Sequence, residues 1–151
     1  MNIVPVSDLI GKTIASVVLN SVDNFVSFYA NYPKKEKTEQ DFIDNSSFLV
    51  LLRCNDESNE PFDITYVFTH QRDYCEKIDF IDCDGIDKLI GQKIVDASEV
   101  SENGKDSIGD SQTWTFYKIQ AEKDSSTLRF SCCSNGYYSE RIDIFKLVSE
   151  R

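Results

Sequence analysis

The pattern Leu9-Ile10-Gly11-x-x-Ile14 returns 80 residues later as Leu89-Ile90-Gly91-x-x-Ile94, in a chain of 151 residues. A repeat that fills about half the chain restricts the fold to two similar halves around a shared core. Two copies are too few for a solenoid. The same offset relates Ser46 to Ser126, Asn55 to Asn135, Glu60 to Glu140, Asp63 to Asp143, Ile64 to Ile144 and Thr69 to Ser149. The expectation is a single domain, 1–151, with pseudo-repeat halves of about 1–75 and 80–151. The competing explanation is chance matching within a β-rich sequence.

Segments rich in Val, Ile, Phe, Tyr and Thr recur between polar clusters and read as strands. They are Thr13 to Leu19, Phe25 to Tyr29, Phe48 to Cys54, Phe62 to Phe68, Lys77 to Ile81, Lys93 to Ala97, Thr113 to Ala121, Thr127 to Cys132 and Ile142 to Leu147. Polar and apolar residues alternate in Lys77-Ile78-Asp79-Phe80 and in Arg141-Ile142-Asp143-Ile144, the pattern of half-buried antiparallel strands. Helix signal is thin. Ser7 to Ile10 fits one capped turn ended by Gly11, and Asp84 to Ile90 fits a second ended by Gly91. Asn31 to Asn45 and Ser101 to Ser111 read as loops. The fold class is α+β, predominantly antiparallel β with short helical turns.

Net charge is -10, from 16 basic and 26 acidic residues. A phosphate-backbone binder needs a basic face, so direct nucleic-acid binding is excluded as an expectation. Docking on an anionic membrane is disfavoured for the same reason. No apolar run approaches the length of about 18 residues that spans a bilayer. The acid is concentrated: Glu76 to Asp110 holds ten acids against four bases. Asp79, Asp82, Asp84, Asp87, Glu99 and Glu102 from this stretch are candidate partner-binding residues, forming a ridge that imitates a nucleic-acid backbone in a basic groove. A solvated face that maintains solubility accounts for the same residues.

The start of the chain has neither the cationic residues nor the apolar run of a signal peptide. Five cysteines, an odd number, then read as reduced thiols in a cytoplasmic protein. They lack the close pairs of a zinc site, and adjacent Cys132 and Cys133 point to opposite faces of a strand. The acidic run Asp79 to Asp87 lacks the ligand spacing of an EF-hand. Phosphate-binding glycine motifs are missing as well, so no metal or cofactor is expected. His70 is the only histidine. A hydrolase or transferase would have to use it with Asp73, Cys75 or Glu76, and that spacing matches no nucleophile signature.

Thr113 to Tyr117 reads as a strand with Trp114 and Phe116 on one face and Thr113, Thr115 and Tyr117 on the other. Ser134 to Glu140 carries two tyrosines on a tight Asn-Gly turn. Trp114, Tyr117, Arg129, Asn135, Tyr137, Tyr138, Glu140 and His70 are the candidate ligand-binding residues. Aromatic stacking would hold a planar ligand, and an arginine would pair with its phosphate. Tyrosines covering a sheet edge explain the same pattern.

Several segments together resemble a domain of unknown function met mainly in bacteriophages and prophages. They are Asp8-Leu9-Ile10-Gly11-Lys12-Thr13-Ile14, His70-Gln71-Arg72-Asp73-Tyr74-Cys75-Glu76, Leu89-Ile90-Gly91-Gln92-Lys93-Ile94 with Glu99, Thr113-Trp114-Thr115-Phe116-Tyr117-Lys118, and Ser134-Asn135-Gly136-Tyr137-Tyr138-Ser139-Glu140. The resembling family tends to carry a cysteine pair where this chain has Tyr74-Cys75, and its segment between the first strands is shorter than Phe25 to Phe68. The resemblance implies a phage setting and a small α+β fold. It brings no catalytic residues.

The expected function is a phage-encoded, non-enzymatic accessory protein. It binds and inhibits a host protein, a component of anti-phage defence, through its acidic surface in the host cytoplasm. The alternatives are sequestration of a nucleotide-derived immune signal and a small enzyme built on His70. Exposed sheet edges leave homodimerisation open.

Overall fold

The computed structural model describes residues 2–21, 48–56, 62–69, 77–83, 85–105, 109, 111–134 and 141–150. Among these residues the fold is almost entirely antiparallel β. Nine strands are present: β1 (Asn2–Ile3), β2 (Lys12–Ser21), β3 (Phe48–Asp56), β4 (Phe62–Thr69), β5 (Lys77–Cys83), β6 (Ile94–Lys105), β7 (Ser111–Ala121), β8 (Ser125–Ser134) and β9 (Asp143–Glu150). The helical turns expected from sequence are two 3-10 turns, Val6–Leu9 and Ile86–Leu89. Neither Pro5 nor Gly85, the residues that precede the two turns, makes a side-chain cap hydrogen bond, so the first turn lacks the cap expected at its start; Asp84 lies outside the described residues. The segments Phe25 to Tyr29 and Asn31 to Asn45 lie outside the described residues.

The strands form a five-stranded sheet, ordered β1-β9-β4-β3-β2, and a four-stranded sheet, ordered β5-β8-β7-β6. Each 3-10 turn is followed by a three-stranded meander, β2-β3-β4 in one sheet and β6-β7-β8 in the other. The strand after each meander then crosses to the opposite sheet. β5 pairs with β8, and β9 pairs with β4. The topological halves therefore run over 6–83 and 86–150, and each completes the other's sheet.

This topology corrects the constant register of 80. The 3-10 turns are 80 residues apart, but the openings of equivalent strands are not. Phe48 corresponds to Ser111, Phe62 to Ser125 and Lys77 to Asp143, at separations of 63, 63 and 66. The reason is the long segment between β2 and β3, against the short one between β6 and β7. The matches Asp63/Asp143 and Ile64/Ile144 instead relate β4 to β9, which are paired neighbours.

The repeated motif itself is structurally equivalent in its two copies. Gly11 N–H donates to the Ile94 carbonyl at 2.8 Å, and Gly91 N–H donates to the Ile14 carbonyl at 2.8 Å. The two copies thus clasp each other about a local two-fold. Leu9, Ile14, Leu89 and Ile94 are all fully buried, which explains the apolar positions of the motif. The glycines sit at φ +89° and +85°, where a side chain is strained. No atom lies within 4 Å of a Cβ built at either one. Gly91→Ala should therefore cost only the left-handed backbone penalty, about 1–2 kcal/mol. Thermal melting should show this as a fall in Tm of about 2–8 °C; an unchanged Tm would show that the turn relaxes freely.

Both sheets contribute to one apolar core. The inward-facing residues of β7 are Thr115, Tyr117, Ile119 and Ala121, all buried. The Tyr117 ring meets Phe68 of the other sheet edge-on, with centroids 5.1 Å apart, and meets Phe130 at 5.9 Å. Cys54 and Cys132 are buried small residues, as expected. Burial pushes the Cys54 thiol up to about 12, so it is no nucleophile at neutral pH.

The first 3-10 turn is tied to the five-stranded sheet through Asp8. The buried Tyr66 hydroxyl donates to Asp8 Oδ2 at 2.7 Å, and Lys146 Nζ lies 3.0 Å from the same oxygen. Partial burial pushes the Asp8 carboxyl up, but these hydrogen bonds and the lysine charges outweigh it. The group is held below its ordinary 3.8. Its contribution is therefore present above about pH 4 and lost as pH falls through the lowered value. Urea melts of wild type and Asp8→Asn should differ at pH 7 and draw together as the carboxylate is protonated at acid pH. A gap that does not shrink would assign the effect to something other than the carboxylate.

Candidate interaction surface

β6 is an edge strand, paired with β7 on one side only among the described strands. Ile94 and Ala97 turn into the core, and a register shift between Ile94 and Asp96 resets the alternation. From Ser98 to Lys105 eight consecutive residues are exposed. The expected loop at Ser101 to Ser111 is thus corrected. Ser101 to Lys105 continue the strand, opposite Thr115, Trp114, Thr113, Gln112 and Ser111. The sequence hides this because neither face is apolar there. At Gly104 a built Cβ would sit 3.1 Å from the Trp114 ring, so the indole covers the glycine and supplies the missing packing.

The expected acidic ridge is not one surface. Asp79 and Asp82 belong to β5, and Glu99 and Glu102 belong to β6, at opposite edges of the four-stranded sheet. Three strand spacings separate those edges, roughly 14 Å. Asp87 is exposed on the second 3-10 turn. Asp84 lies outside the described residues. On β6, Glu99 is opposite inward-facing Tyr117, whereas Glu102 is opposite outward-facing Trp114. Asp96, opposite Gln120, shares the outward face with Glu102.

The expected aromatic pocket divides in the same way. Trp114 and Arg129 are half-buried on the outward face of adjacent strands, Arg129 being in register with Phe116. Tyr117 is 1% exposed and belongs to the core, so it shares no pocket with Trp114. His70, Asn135, Tyr137, Tyr138 and Glu140 lie outside the described residues, as do Asp73, Cys75 and Glu76. The strands flanking 135–140 are β8 and β9, which belong to different sheets. The tight turn expected at Asn135-Gly136 lies outside the described residues.

Sequence reasoning missed a polar cleft on the inward side of β6. It has a volume of about 280 Å³ and lies between the segment Ile3 to Val6, Glu99, Tyr117 and the start of β9. A neighbouring depression of about 260 Å³ shares Glu99 and Arg141 and is lined by the hydroxyl residues Ser101, Thr113 and Thr115. Arg141 Nε is 3.2 Å from Asp143 Oδ1. The Tyr117 hydroxyl donates toward the Ile142 carbonyl at 3.4 Å and lies near the Glu99 carboxylate. Burial, reinforced by the Glu99 charge, raises its ionisation far above the ordinary tyrosine value, so it remains a donor. Two carboxylates, a guanidinium and a phenol suit polar or cationic groups. Among the described residues no three His, Cys, Asp or Glu side chains gather as a metal-holding group, and no helix is long and apolar enough to cross a membrane.

The sequence profile of a domain of unknown function, DUF7448, matches residues 7–144. The chain belongs to the DUF7448 family. The match runs from the first 3-10 turn to the start of β9, so a DUF7448 domain includes both topological halves. No curated protein and no solved structure matches the chain.

Proposed function

We propose that this DUF7448 protein is a non-enzymatic inhibitor that binds a basic host protein through the acidic β6 edge. The observation that carries the reading is the run of eight exposed residues on an edge strand, bearing Glu99 and Glu102, with Lys105 as its single base. Such a surface steers and retains a partner whose own face is positive. The resemblance to phage and prophage proteins makes an anti-phage defence component the class of target. A net charge of -10 favours a target groove that normally holds nucleic acid.

The test is affinity capture of host proteins by the wild type and by the double variant Glu99→Lys/Glu102→Lys, across a salt series. The reading expects a protein retained by the wild type at low salt, released as salt rises, and lost from the variant. Equal retention by both chains overturns it.

A further inference from the structure

We infer that the partner engages β6 by strand addition, as an extended segment with basic residues three apart laid along the sheet edge. The inference rests on the acidic-edge reading and specifies its geometry. An edge strand presents backbone N–H and C=O groups that its own sheet does not pair. β6 is twelve residues long and contains no proline. The register shift near Asp96 lies at its beginning, and its one lysine is at its end. Between them the strand carries no proline, bulge or lysine, and the charges that guard the edge, Glu99 and Glu102, repel a copy of themselves but attract a cationic strand.

The acids add a second constraint. Asp96, Glu99 and Glu102 are three residues apart, so in a strand they alternate outward, inward and outward. A partner lying on one face of the sheet meets Glu99 alone, or Asp96 and Glu102 without Glu99. A segment along the edge meets all three, provided its cations have the same spacing and alternate faces with them. On the inward side its side chains would lie above the hydroxyls of Ser101, Thr113 and Thr115. The same charges oppose a second copy of this chain, because β6 against β6 brings acid toward acid.

The experiment uses the full chain and the peptide Thr-Arg-Thr-Thr-Arg-Thr-Thr-Arg. A fully N-methylated version keeps the charge and loses every backbone donor. Binding is read by fluorescence anisotropy, and amide exchange along β6 is read in parallel. Strand addition expects the plain peptide to bind at least tenfold more tightly than the methylated one. It also expects exchange between Ser98 and Lys105 to slow at least tenfold. Equal binding of the two peptides with unchanged exchange overturns strand addition but leaves the acidic-edge reading intact. Binding of neither peptide also overturns strand addition, while the capture experiment decides the acidic edge separately. Protection that grows with protein concentration alone would assign the edge to self-association and overturn the inference.

Discussion

Replacing Tyr117 with alanine should destabilise the protein by about 3–5 kcal/mol, the usual cost of removing a buried aromatic ring. In a chain of this size that is a fall in Tm of about 6–20 °C. The ring is 1% exposed and stands between the sheets, edge-on to Phe68 in one and to Phe130 in the other. Its loss removes both contacts and opens a cavity that neither sheet can fill without moving. Tyr117→Phe separates packing from polarity. It keeps both ring contacts and loses a hydroxyl whose bond to the Ile142 carbonyl is long, at 3.4 Å. A cost of about 1 kcal/mol or less is expected for it. If the two variants prove equally unstable in urea melts, the hydroxyl and its Glu99 contact hold the structure, not the ring.

The second large effect is on binding. Glu99→Lys/Glu102→Lys should weaken the partner complex by about 10- to 100-fold at physiological salt, with most of the loss in association rate. An exposed pair contributes only about 0.2–1 kcal/mol. Reversal does more than delete an attraction, since it sets a lysine against each basic group of the partner. The screening length of about 8 Å at physiological salt confines the effect to groups near the edge. Thermal stability should change by about 1 kcal/mol or less, because both residues are exposed and Glu99 gives up only its contact with the Tyr117 hydroxyl. The sheet topology supplies a control. Asp79→Lys/Asp82→Lys reverses the same amount of charge on β5, at the far edge. Binding should largely survive that change. Loss from the β5 variant but not from the β6 variant would move the interface across the sheet.

The sequence made the strands legible wherever one face is buried. β4, β7 and β8 alternate or are continuously apolar, and their predicted spans match to within a few residues. The glycine-ended turns were legible because Gly11 and Gly91 need a left-handed backbone. The second half of β6 was not, since Ser-Glu-Asn-Gly buries nothing and strand-forming information there lies in its partner β7. The acidic ridge looked continuous because its residues are near one another in sequence. Strand order decides which acids share an edge, and no residue in the stretch records that β8 and β7 intervene. Alternation along β7 already separated Trp114 from Tyr117. The cleft at Glu99, Tyr117, Arg141 and Asp143 joins β6, β7 and β9, a non-local meeting with no signature in any one segment.

The exchange of fourth strands also sets the order of assembly. β4 needs β9 beside it, and that ladder joins residues as far apart as Phe62 and Glu150. The five-stranded sheet must wait for β9, the last of the described strands, with the side of β4 that β9 will occupy open until then. Long loop closure of this kind slows folding, and during synthesis it prolongs exposure of an unpaired edge. Neither half is self-sufficient, so cutting the chain between β5 and the second turn should give fragments that fold only together. Folding is thereby coupled to the synthesis of β9, and products that stop before it carry an open β4 edge into a crowded cell.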